Sequence, residues 1–179
     1  GDGKIVVVAS NGDDSIIVRY NATGSLDISF NGTGRIIAPF SAVSSAAIQT
    51  DGKIVVAGSS LNSASLNKFT ISRYTADGSP DTTFGGTGKV VIPGESPSQG
   101  WASSVAIQPD GKIVVVGEGF TSFSDSWDFA VVRYNPDGSL DHSFGGGGMV
   151  NTPIGNSQDV PHSVAIQKDG KIVVVGGTC

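Results

Sequence analysis

Cysteine is almost missing from these 179 residues, and the only one, Cys179, is the last residue of the chain. An internal disulfide framework is therefore excluded. Histidine occurs twice, as His142 and His162, and no HExxH, CxxC, P-loop or Ser-His-Asp order is present, so the usual signatures of metal-assisted and nucleophilic catalysis are lacking. Charged residues make up only 15% of the chain, with a net charge of −5 and a pI near 4.7. That balance speaks against nucleic acid as a main partner. No apolar run approaches the length of a membrane span, and no signal peptide is visible. Nothing carries a helical period over a useful length.

What the chain does have is glycine, 26 residues of it, and 38% hydrophobic residues in short runs. This profile suits many short strands joined by tight turns. The runs also repeat. Asp51-Gly52-Lys53-Ile54-Val55-Val56 returns as Asp110-Gly111-Lys112-Ile113-Val114-Val115 and as Asp169-Gly170-Lys171-Ile172-Val173-Val174, and the chain opens on the same motif at Asp2-Gly3-Lys4-Ile5-Val6-Val7. The turn glycines Gly3, Gly52, Gly111 and Gly170 are spaced by 49, 59 and 59 residues. In the same order within each copy come Arg19-Tyr20, Arg73-Tyr74 and Arg133-Tyr134. Then come Gly24-Ser25-Leu26-Asp27, Gly78-Ser79-Pro80-Asp81 and Gly138-Ser139-Leu140-Asp141. Each copy closes on a phenylalanine (Phe30, Phe84, Phe144) and a glycine-rich turn ending at Gly34, Gly88 or Gly148. Counted from its aspartate, the array divides into repeats 2–50, 51–109 and 110–168 and a partial repeat 169–179.

The third copy serves to read the unit. Ser104 to Gln108 is predicted as strand A. The Pro109-Asp110-Gly111 turn follows, with both turn residues expected at positive φ. Lys112 to Val116 is strand B, a β-branched run that reads as buried on both faces. Phe129 to Tyr134 is strand C and Met149 to Thr152 strand D. Four antiparallel strands with two apolar faces must stack against copies of themselves, and radial stacking is the β-propeller solution. A linear β-solenoid is the rival, with shorter coils not built from hairpins. The expected fold is therefore all-β, a propeller of about three visible four-stranded blades.

The run AIQPDGKIVVVG followed by FAVVRYNPDGSLDHSFGGGGMV resembles the delta-60 repeat, a bacterial module of large exported proteins, and the resemblance covers essentially the whole chain. It implies a propeller-like fold and a secreted or cell-surface setting in a bacterium, with no catalytic activity. No cofactor is expected. The first copy departs from the pattern: its segment from Ala9 to Asp14 is short, and Asn21-Ala22-Thr23-Gly24 replaces the Asp-Gly turn. Three blades are fewer than the four to eight of closed propellers. The expectation is a segment of a longer chain. The alternative is several copies that close a ring or stack by self-association through open blade edges.

Strand alternation sends the A–B and C–D turns to one edge and the B–C and D–A loops to the other. The first edge is repetitive and the second varies between copies, over 59–68, 118–128, 94–102 and 155–162, which makes the second the natural recognition face. Trp101 and Trp127 fall on this face with Phe120, Phe123, Asp125 and Asp128, and Glu95 and Gln99 lie near them in sequence. Such a cluster could form a platform for a protein or carbohydrate surface. The plainer reading is that these aromatics plug gaps between blades. On the repetitive edge, Arg19, Arg73 and Arg133 each precede Asp27, Asp81 and Asp141 by eight residues, a spacing that allows one charged hydrogen bond per blade across the C–D turn. A Ca²⁺ site using Asp137 and Asp141 is the competing reading. It lacks the DxDxDG loop, and Thr23 stands where Asp77 and Asp137 do. The leading function is a non-enzymatic binding, adhesion or assembly scaffold. A polysaccharide lyase or lactonase-like hydrolase with a channel site is one alternative, and a filament subunit another.

Overall fold

The computed structural model describes residues 2–10, 14–61, 66–92, 99–120, 126–155 and 157–178, the side chain of Phe120 excepted. All regular elements among them are strands, arranged in four antiparallel sheets. The first holds β1 (Ile5–Ser10), β2 (Ser15–Tyr20) and β3 (Arg35–Ala38). The second runs in order β4 (Ala42–Ile48), β5 (Ile54–Leu61), β6 (Asn67–Tyr74) and β7 (Lys89–Val91). The third repeats it as β8 (Gln99–Ile107), β9 (Ile113–Phe120), β10 (Trp127–Tyr134) and β11 (Met149–Thr152). The last pairs β12 (Asp159–Ile166) with β13 (Ile172–Thr178). Each full sheet is the A-B-C-D meander, and the outer two are its B-C-D and A-B portions.

The turns explain the register. Gly52 N bonds the carbonyl of Gln49, and Gln49 N bonds the carbonyl of Lys53. Only the glycine takes positive φ, at 83°. The expected two-residue turn with both residues left-handed is thus replaced by a three-residue loop in which glycine alone turns left. Asp51 braces the loop through its side chain, with Oδ1 accepting the Lys53 N–H at 3.1 Å. The C–D turn reuses this geometry, with Gly78 N on the carbonyl of Thr75 and Thr75 N on that of Ser79. The divergent first copy builds the same loop from Asn21 to Ser25.

Strand A is longer than the sequence suggested and carries a β-bulge in every copy, between Val43 and Ser45, Ala102 and Ser104, and Pro161 and Ser163. At the bulge the A-strand backbone presses onto strand B. A Cβ on Gly58, Gly117 or Gly176 would lie 2.0–2.2 Å from a carbonyl oxygen of strand A. This explains a glycine at the same point of β5, β9 and β13, the B strands that pair with a bulged strand A.

Neighbouring sheets stack through their A strands, which also lie against one another, so A is the inner strand and D the outer. Ser45 Oγ accepts the Val105 N–H at 3.3 Å, and Ser104 Oγ accepts that of Val164 at 3.4 Å. One apolar core fills each interface. Ile17, Phe30 and Phe40 meet Val56 and Tyr74 between the first two sheets. Ile71 and Phe84 meet Val115, Val132 and Tyr134 between the second and third. Val116 and Val131 meet Val164 between the third and fourth. Residues 54–60 of β5 are buried throughout, as expected for a B strand with a sheet on either side.

Candidate functional site

On the repetitive edge, the Arg–Asp bond anticipated from spacing forms in all three copies. Arg19 Nε donates to Asp27 Oδ2 at 2.7 Å, Arg73 to Asp81 at 2.7 Å and Arg133 to Asp141 at 2.8 Å. The pair is part of a larger clasp. The lysine of each Asp-Gly-Lys motif reaches the same oxygen: Lys4 on Asp27 at 2.8 Å, Lys53 on Asp81 at 3.1 Å and Lys112 on Asp141 at 3.0 Å. The other carboxylate oxygen accepts a hydroxyl, from Ser29, Thr83 or Ser143, at 2.6 Å in each case. Each guanidinium lies over the phenylalanine ring of its own copy, 4.5–4.6 Å from the centroid, a cation–π contact.

Two of the three clasps also bridge blades. Arg19 Nη1 donates to the carbonyl of Ala76, and Arg73 Nη1 to that of Pro136. Asn31 N and Gly85 N bond the carbonyls of Asp77 and Asp137 in the following blade. The rings of Phe30 and Phe84 rest on Gly78 and Gly138, where an added Cβ would sit 2.9 Å from the ring.

These contacts hold the three aspartates well below the usual carboxylate range. For Asp27 the main cause is the Lys4 ammonium, then the Ser29 hydroxyl. For Asp141 it is the Ser143 hydroxyl, then Lys112. Burial pushes Asp81 upward, and the Thr83 hydroxyl, Lys53, the Thr83 N–H and the Arg73 charge together outweigh it. Asp137 and Asp141, the pair of the calcium reading, are engaged separately. Asp137 Oδ1 takes the Ser139 N–H and hydroxyl, and Asp141 takes Arg133, Lys112 and Ser143. Among the described residues no group of three or more His, Cys, Asp or Glu is placed to hold a metal.

The variable edge holds the aromatic candidates. Trp101 and Trp127 do meet, with ring centroids 4.8 Å apart and planes at 43°. They do so from strands, not loops: Trp101 lies in β8 and Trp127 opens β10. Trp101 pairs with Glu118 on the intervening β9, and Glu118 with Phe129 of β10, so these residues share one face. Glu118 Oε2 accepts the Gln158 amide at 2.6 Å from the following sheet. Both indoles are half-buried, which satisfies part of the gap-filling reading and still leaves a rim. Asp128 is only 1% exposed and accepts the Ser126 hydroxyl at 2.6 Å, so it belongs to the sheet and not to an open platform. Gln99 opens β8 in register with Phe120. Glu95, Phe123, Asp125 and Cys179 lie outside the described residues.

The interfaces differ at this edge. Ser10 Oγ accepts the Val43 N–H at 2.9 Å, and Ser59 Oγ accepts that of Ala102 at 3.3 Å. In the third interface Pro161 has no N–H to give, and Glu118 replaces the serine and bonds Gln158 instead. Sequence reasoning missed both the lysine arm of the clasp and the Glu118–Gln158 bond. The lysine follows the turn glycine in every copy, which was the available signal. A cavity of about 630 Å³ lies elsewhere, on the outer side, lined by Lys89, Val90, Tyr134, Asp137 and Leu140 among others.

Four-stranded meanders stacked through their A strands, with one clasp per copy, define a β-propeller repeat protein. A family model described as "Domain of unknown function (DUF5122) beta-propeller" matches residues 1–30, 49–84 and 108–144, more than half of the chain. The chain belongs to this family. Each matched segment ends on the clasp phenylalanine, Phe30, Phe84 or Phe144. No curated protein matched the chain.

Proposed function

We propose that this chain is a non-enzymatic binding scaffold of the bacterial cell surface or exterior, serving adhesion through its variable edge. The observation that carries this reading is the contrast between edges. One edge repeats a single clasp three times. At the other, Trp101, Trp127 and the Glu118–Gln158 bond occur at one interface alone. The corresponding positions of the preceding copy hold Ala42, Asn67, Ser59 and Gln99. A rigid repeat with a copy-specific aromatic rim suits recognition of a protein or carbohydrate surface. The resemblance to repeats of exported proteins supports the extracellular setting.

Glycan and peptide arrays probed with the wild type and with Trp101→Ala and Trp127→Ala test the reading. Central aromatic anchors carry about 2 kcal/mol or more of an interface, so each variant is expected to weaken a genuine signal by roughly thirtyfold. Absence of any wild-type signal, or equal signals from all three proteins, would sink it.

A further inference from the structure

Charge is sorted between the two edges. The chain has eleven lysines and arginines, all within the described residues, and all but one belong to the repetitive side. They are the lysines of the Asp-Gly-Lys turns, the clasp arginines, Lys168 beside the last such turn, and Arg35 and Lys89, which open the outer strands β3 and β7 from that edge. The exception is Lys68 in β6, and it is 5% exposed. Carboxylates are not sorted in this way. Asp14, Glu118, Asp128 and Asp159 stand in or beside the strand ends of the variable edge, from the first, third and fourth sheets. The joining segments 11–13, 93–98 and 121–125 add Asp13, Glu95 and Asp125 in sequence, with no lysine or arginine. The variable edge is therefore anionic, and no exposed cationic side chain of the chain stands on it.

The tryptophans sit inside this field. Trp101 is the register partner of Glu118, and the Trp127 ring lies 4.8 Å from that of Trp101. Each clasp aspartate is met by two cations, whereas Glu118 Oε2 is met by a neutral amide, that of Gln158. The face of an aromatic ring attracts a cation, and an indole does so best. The clasps use that contact at Phe30, Phe84 and Phe144, with an arginine over each ring and a carboxylate beside it. At the variable edge the rings and the carboxylate are present and the cation is not. We propose that the variable edge binds a basic segment of a partner protein, seating one arginine or lysine side chain against the Trp101–Trp127 pair beside Glu118. The carboxylates spread along the edge attract the rest of that segment and steer its approach. This inference rests on the binding reading above and narrows it to one class of partner. A neutral glycan gains nothing from the field, and an acidic one is repelled by it.

Both tryptophans of the chain lie in this rim, so indole emission reports it directly. The chain is titrated with a short synthetic peptide of alternating arginine and glycine, and with the same peptide carrying citrulline, which keeps the shape and loses the charge. A saturable change in emission is expected with the arginine peptide and none with the citrulline peptide. Raising the salt from about 0.05 M to about 0.5 M should weaken binding by about tenfold or more. Glu118→Gln, which keeps an acceptor for Gln158, should weaken it about threefold. Trp127→Ala, followed by anisotropy of a labelled peptide, should weaken it about tenfold. Asp169→Asn, the same loss of charge at the opposite edge, should leave the affinity unchanged. Equal affinity for the citrulline peptide, equal weakening by Glu118→Gln and Asp169→Asn, or no binding of the arginine peptide to protein folded by circular dichroism would each overturn the proposal. A neutral glycan that binds through the tryptophans while the arginine peptide does not would overturn it and leave the adhesion reading standing. Silence from every glycan and peptide would sink both.

Discussion

A single aspartate oxygen in each copy receives both a guanidinium and an ammonium, and these three aspartates are among those held furthest below the ordinary carboxylate range. The folded-state pKa of Asp27, Asp81 and Asp141 lies below that of an unfolded-chain aspartate, about 3.9. Their contribution is therefore present above that value and is lost as pH falls through the folded pKa. Urea midpoints measured across acidic pH should hold steady above about pH 5 and drop below about pH 4. Asp81→Asn should flatten part of that drop. An unchanged acid limb in the variant would show that other carboxylates govern it. Arg73 is a second test at this scale. Lysine in its place keeps the charge but forfeits the planar contact with Phe84 and the simultaneous bonds to Asp81 and the carbonyl of Pro136. Arg73→Lys should cost about 1–2 kcal/mol in chemical denaturation, and a neutral result would remove the clasp as a stabilising device.

Strands and turns were largely legible from periodicity, because the β-branched B runs and Gly-bearing turns recur in register. The bulge in strand A was not legible. It shows only through its consequence, the glycine on strand B, and an isolated glycine in a strand has several readings. For the same reason Trp101 looked like a loop residue: Gly100, Ala102 and Ser103 around it are small because an inner strand packs closely against its neighbours. The Arg–Asp spacing was readable since both residues flank one turn. The lysine arm comes from a different turn, and the Glu118–Gln158 bond joins two sheets, so neither has a local mark. Gly117 turns this into an experiment. A methyl there would lie 2.0 Å from the carbonyl oxygen of Trp101, 2.7 Å from Phe69 Cζ and 2.8 Å from Ala102 Cα. Two of those three atoms are backbone and cannot swing away, so Gly117→Ala should destabilise by about 1–3 kcal/mol or more. At Gly177 nothing lies within 4 Å of the added carbon, and Gly177→Ala should be near neutral. Equal effects of the two would argue against the close A–B approach.

At the scale of the whole molecule, stability is a property of neighbours. The segment Lys-Ile-Val-Val-Val-Gly occurs at residues 112–117 and again at 171–176. Local propensity and intrinsic exchange chemistry are thus the same for both. Their surroundings are not: Val114, Val115 and Val116 are 0% exposed between two sheets, while Val173 and Val175 are 40% and 56% exposed. In a stacked array each unit is stabilised by its intrinsic term plus the interfaces on either side, so β9 gains from two interfaces and β13 from one. Amide hydrogen exchange should therefore give markedly greater protection at Val114–Val116 than at Val173–Val175, whose opening requires only the loss of the β12–β13 sheet. Substitution should follow the same order. Val115→Ala removes two fully buried methyl groups and should cost about 1.5–3 kcal/mol, whereas Val175→Ala should cost less than about 1 kcal/mol. Equal protection across the two identical segments would mean that the blades unfold as one cooperative body. In that case the clasp, rather than the local interface, would set the stability of every strand it connects.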